Sequence, residues 1–157
     1  MTDIVTSRNF VLGFSKSNSS TTETELCNYV LEPALMTGEG DYLEITAKGD
    51  FAKNNNNKQV KLKFGSTLIF DSGLIASNGG KWEISVTITC TGESSETAAA
   101  AFLINAVQQT SLDTSPSETI ASEIPLVLFG KGTFSRDVTG KSLEIKYFKN
   151  PTPAATA

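Results

Sequence analysis

From Lys81 to Thr91 the sequence KWEISVTITCT alternates without a break. Trp82, Ile84, Val86, Ile88 and Cys90 share one parity, and Lys81, Glu83, Ser85, Thr87, Thr89 and Thr91 share the other. Successive side chains of a β-strand point to opposite faces, so a sustained period of two, rich in β-branched residues, predicts a strand with one dry and one wet face. Three more stretches follow the same rule. DYLEITAK sets Leu43, Ile45 and Ala47 against Tyr42, Glu44, Thr46 and Lys48, and QVKLKF sets Val60, Leu62 and Phe64 against Gln59, Lys61 and Lys63. SLEIKYF repeats the pattern with Leu143, Ile145 and Tyr147. Strands that bury one face and wet the other are the habit of antiparallel sheets.

Turn chemistry separates these runs. Gly65-Ser66 suits a tight hairpin joining QVKLKF to TLIFD, and Asn78, Gly79 and Gly80 suit positions of positive φ. ETAAAAFLINAVQQ (96–109) has helix-forming alanines, yet it also alternates, and its β surroundings favour a strand. SLDTSPSET reads as a loop. TIASEIPLVLFGKG reads as a strand interrupted at Pro125, which suits an edge or a bulge. About eight strands then fall in residues 26–149, and the expected fold is all-β: an antiparallel two-sheet sandwich of jelly-roll or Greek-key type. Residues 1–25, with apolar residues that lack helical spacing followed by SKSNSSTTETE, are expected to form an extended N-terminal arm, and residues 150–157 a frayed tail. A chain of 157 residues suits one such domain.

The residue list excludes much chemistry. The chain has no histidine and only two cysteines, Cys27 and Cys90, which removes histidine-based nucleophile systems, His-containing zinc sites and Cys₄ clusters. The cysteines are expected to be free thiols, and no catalytic residue, cofactor or metal ligand set is assigned. A net charge of −4 and the lack of a Lys/Arg stripe argue against nucleic acid. Lys58, Lys61 and Lys63 cluster, but Lys61 and Lys63 take the wet parity of a strand. No apolar run nears the roughly 20 residues that cross a bilayer, and no secretory leader is evident, so synthesis in the cytoplasm is expected. A calcium site using Asp50 with the asparagine carbonyls of Asn54 to Asn57, or using Asp71, is chemically allowed but matches no ligand pattern. Glu44, Glu83 and Glu144 lie on wet parities, a weak basis for a carboxylate glycosidase. Trp82 is expected in the core, leaving Tyr42 and Phe148 as the outward aromatics for a sugar.

Several motifs together carry a resemblance. GD-x-L-x-I opens at Gly40-Asp41, an asparagine-rich NNK corner ends at Lys58, and KLKFG follows at Lys61 to Gly65. A DSG turn at Asp71 to Gly73 and NGG-x-W-x-I from Asn78 to Ile84 complete residues 41–92, and VTGKSLEIKYFKN closes the module. This series resembles surface proteins of tailed-bacteriophage virions, β-sandwich or jelly-roll modules that serve as capsid decoration (cement) proteins or as parts of head and tail fibres. The resemblance implies a structural role on the virion, contacts with the major capsid protein and with itself as a homotrimer, and no cofactor. The shortness of the chain and its lack of repeats favour decoration over a fibre. Ile4, Phe10 and Phe14, apolar in a segment too short to fold alone, are the candidate assembly contacts, although the same segment could add a strand to its own domain. A fibre module recognising a host-surface glycan is the alternative.

Overall fold

The computed structural model describes residues 7–19 and 21–150, and these form ten strands and no helix. In chain order the strands are β1 (Ser7–Ser17), β2 (Thr24–Leu31), β3 (Tyr42–Phe51), β4 (Lys58–Phe64) and β5 (Thr67–Asp71). They continue as β6 (Lys81–Gly92), β7 (Ser95–Ile104), β8 (Val107–Thr114), β9 (Ile124–Gly132) and β10 (Val138–Phe148). Two antiparallel sheets result, one ordered β1-β10-β3-β6-β7-β8 and the other β2-β9-β4-β5.

Without the β7–β8 hairpin, the winding is that of a jelly roll. The pairs β1·β10, β2·β9, β3·β6 and β4·β5 are the rungs of one long ribbon, which closes when β3 also pairs β10 and β4 also pairs β9. The parities predicted from alternation face the core. Leu43, Ile45, Val60, Leu62, Phe64, Ile84, Ile88, Leu143 and Ile145 are all fully buried, and Trp82 is 1% exposed. Each such side chain contributes about 1.5–3 kcal/mol of burial free energy, enough to fix the register because a one-residue slip would turn it to water. Lys61 and Lys63 take the outer face of β4, as expected.

Two strands exceed the expected eight. The first is β1, which lies in residues assigned to the arm. It pairs with β10 from Ser7↔Phe148 to Ser17↔Thr139, so the described part of the arm is a strand of its own domain. The polar connector after it is also partly structural. Asn18 is buried, its Oδ1 accepts from Val138 N–H, and its Nδ2 donates to Phe134 O. The second is β8, which takes the end of the 96–109 stretch and the SLDT assigned to a loop. Asn105 and Ala106 both adopt positive φ, 50° and 66°, and turn β7 back into β8. β9 also differs from expectation, since it lies inside its sheet, between β2 and β4. Pro125 is tolerated there because it sits at the second residue of the strand, where its carbonyl still accepts from Gly65 N–H.

Candidate functional site

Three polar clusters and one aromatic pair are the chemically distinctive features. The first cluster is built by the asparagine corner between β3 and β4. Lys58 has the parity of Val60, Leu62 and Phe64, so its side chain enters the protein and is fully buried. Its Nζ donates to Asn54 Oδ1 (2.8 Å), Asn54 O (2.9 Å), Asn56 O (3.2 Å) and Ser77 O (2.7 Å). The oxygen cage considered for calcium therefore exists in part, but it holds an ammonium. Asp50 is not among its donors, and Asp71 Oδ1 is engaged by Gln59 Nε2 and Gly73 N–H.

Asp137, on the loop before β10, completes this cluster from the far side. It accepts from Asn54 Nδ2 (2.9 Å), from Asn56 Nδ2 and from the N–H groups of Thr133 and Phe134. Asn54 thus relays between the charges, its oxygen on Lys58 and its nitrogen on Asp137. Burial would raise the Asp137 pKa, but these bonds outweigh it and hold the carboxyl below its ordinary value. Burial pushes the Lys58 pKa down, against the pull of Asp137. The asparagines consequently join two loops more than 80 residues apart (|i−j| is 83 for Asn54 and Asp137).

Asp41 organises the second cluster. Its Oδ2 accepts from Thr37 N–H, Thr37 Oγ1 and the Tyr147 hydroxyl, and its Oδ1 from Asn150 N–H. Burial works against its ionisation, yet these bonds keep its pKa below the usual range. Burial and the neighbouring Asp41 charge raise that of Tyr147. Glu96 forms the third. Its Oε1 accepts from Glu118 N–H, while its buried Oε2 has no hydrogen-bond partner among the described residues. Burial raises its pKa, and the Glu118 charge adds to that shift. Glu118 in turn accepts from Ser66 N–H and Oγ, so the crossover into β9 is tied to the β4–β5 turn.

Tyr42 and Phe148, isolated in sequence, are cross-strand partners on the outer face of the six-stranded sheet. Their rings stack at 4.8 Å with an interplanar angle of 16°. The three glutamates lie on the same face, and Glu83 pairs with Lys48 at 3.7 Å. A groove of about 580 Å³ crosses one end of this face and holds Asp50 and Glu83 among Lys48, Lys81 and Lys141. Among the described residues no group of three or more His, Cys, Asp or Glu could hold a metal ion. Both cysteines are free, and burial raises the pKa of each.

The candidate assembly residues are accounted for only in part. Ile4 lies outside the described residues. Phe10 and Phe14 are half-buried in β1 and pack against the core of their own chain. The Phe10 ring lies 6.0 Å from that of Tyr29, and the Phe14 ring lies over Gly140. Deleting residues 1–20 would therefore remove a sheet strand along with any contact surface. No protein-family model matches the chain, and no curated protein matches it in sequence.

Proposed function

We propose that the protein is a non-enzymatic structural module of a bacteriophage virion, a decoration protein that binds the outer capsid and stabilises adjacent capsomers. One observation carries the non-enzymatic part. The buried charged side chains Asp41, Lys58, Glu96 and Asp137 are all engaged in tying loops to strand ends, and none of them lines the groove across the six-stranded sheet. Such expenditure of polar chemistry yields a rigid block with broad sheet faces, which suits a part that works by being in place. The resemblance of residues 41–92 and the jelly-roll winding support the virion assignment. The test is co-sedimentation of the full chain with capsids that lack it, together with a count of copies per particle. Saturable binding in register with the capsid lattice is expected. Absence of binding, or only a few copies at one site, refutes decoration.

The stacked Tyr42–Phe148 pair favours a second reading, a fibre module recognising a host-surface glycan, because two half-buried rings stacked on an outer sheet face offer a platform for a sugar face. Binding of the full chain to a glycan array, lost on Tyr42→Ala, would establish it. Unchanged binding in that variant, or none in the wild type, would remove it.

A further inference from the structure

Asn78-Gly79, in the connection from β5 to β6, is the only Asn-Gly pair in the chain. Such a pair is chemically labile. The backbone nitrogen of the second residue can attack the side-chain carbonyl of the first, and glycine has no Cβ to shield that nitrogen. Several other asparagines are held by their side chains. Asn54 and Asn56 bind Asp137, Asn18 bonds Val138 N–H and Phe134 O, and Asn105 Oδ1 accepts from Lys81 N–H. Asn78 is exposed, and its side chain makes no hydrogen bond among the described residues.

The attacking nitrogen is guarded instead. Gly79 is buried, with φ at 82°, and its N–H is shared between Ala52 O at 2.9 Å and Ser77 O at 3.1 Å. A Cβ at Gly79 would meet Lys53 Cγ at 3.1 Å, so the Lys53 side chain lies over this residue. An amide must lose its proton before it can attack, and here that proton is bonded to a carbonyl and covered from water. The turn is also pinned on both sides. Ser77 O accepts from Lys58 Nζ at 2.7 Å, Ser77 Oγ donates to Gly79 O at 2.8 Å, and Gly80 O accepts from Phe51 N–H at 2.9 Å.

We propose that Asn78 is a self-modification site, a deamidation held off by the asparagine corner and released when that corner opens. On opening, Gly79 N gives its proton to hydroxide and bonds to Asn78 Cγ. The Cγ–Nδ2 bond breaks, and the side-chain nitrogen takes a proton from water and leaves as ammonia. Water then opens the succinimide ring at either carbonyl, giving aspartate or isoaspartate at position 78. The isoaspartate route runs the backbone through the former side chain and adds one carbon between Ser77 and Gly79. A turn pinned at Ser77, Gly79 and Gly80 cannot take up that carbon and keep all of these bonds, so the Lys58 cage is loosened. The corner thus acts once: intact, it protects Asn78, and after reaction it cannot re-form as before.

The test is incubation of the full chain at mildly alkaline pH, in buffer and in urea sufficient to unfold it, with Lys58→Met in buffer alongside. Peptide mapping by mass spectrometry gives the rate at Asn78, and enzymatic methylation of isoaspartate reports the branched product. Reaction in buffer is expected to be slower than in urea by about tenfold or more, the factor that an opening cost of about 1.4 kcal/mol imposes. Lys58→Met should react faster in buffer than the wild type. Wild-type chain carrying isoaspartate at position 78 should unfold at lower urea than unmodified chain, a readout that needs no variant to fold. Equal rates in buffer and in urea overturn the proposal. So does a Lys58→Met rate no faster than the wild type, or a modified chain as stable as the unmodified one.

Discussion

Lys58→Met tests the claim that the asparagine corner is a structural clamp. Methionine keeps the unbranched stem of the lysine but removes the charge, leaving four oxygens without their donor and Asp137 without its buried cation. Removing one partner of a buried charge pair costs about 3–5 kcal/mol, because the other remains uncompensated in a medium that solvates it poorly. The separation here is bridged by Asn54 rather than by direct contact, which puts the expectation at the lower end, about 3 kcal/mol. For a domain of this size that is roughly 6–12 °C in Tm. Lys61→Met is the control. Its Nζ reaches Glu23 at 3.1 Å across a partly exposed surface, and such pairs contribute about 0–1 kcal/mol. Urea unfolding followed by fluorescence of Trp82, the only tryptophan, reads both variants. Adding Asp137→Asn to Lys58→Met should cost less than the sum of the single changes, since the second removes a charge already stranded. A loss below about 1 kcal/mol for Lys58→Met, equal to the surface control, would refute the clamp.

Three other outcomes follow from particular residues. Glu96 has a folded pKa raised above its unfolded value, so the native state holds the extra proton and stability declines as pH rises from the ordinary carboxylate range through the raised value. Glu96→Gln should flatten that decline in urea titrations at several pH values, and an unchanged slope would contradict it. Gly49→Ala should destabilise by about 1–3 kcal/mol through overpacking, because a Cβ there would meet Thr139 O at 1.9 Å and the Trp82 ring at 2.4 Å; calorimetry showing no loss would refute the close approach. Ala106→Gly should stabilise by about 0.5–1 kcal/mol, relieving a left-handed alanine at φ 66° at some entropic cost. A lower Tm in that variant would argue against the β7–β8 turn.

How much was legible depended on whether the signal was local. Lys58 shows the boundary. It shares the parity of Val60, Leu62 and Phe64 on β4, but a lysine there is not read as buried from sequence, because the oxygens that make such burial tolerable come from the corner before it and from Ser77, and its counter-charge from Asp137. The β7–β8 hairpin was missed because its turn is Asn-Ala where Asn-Gly would have announced it. For β1 the sequence leaves two readings open, an arm or a strand added to its own domain. Its apolar residues resemble those of an arm until β10 supplies the partner edge.

The sequence by itself determined that this chain is an antiparallel β-protein and which side chains of β3, β4, β6 and β10 face inward, because a strand assigns its faces by counting in twos. The tertiary structure alone decided that β1 belongs to the sandwich, that Tyr42 meets Phe148, and that β8 ends the six-stranded sheet among the described residues. It also turned Asn54 and Asn56, two of the four asparagines, into the link between Lys58 and Asp137. Those outcomes depend on pairings between residues far apart in the chain, and side-chain periodicity carries no information about which distant strand a given edge will meet.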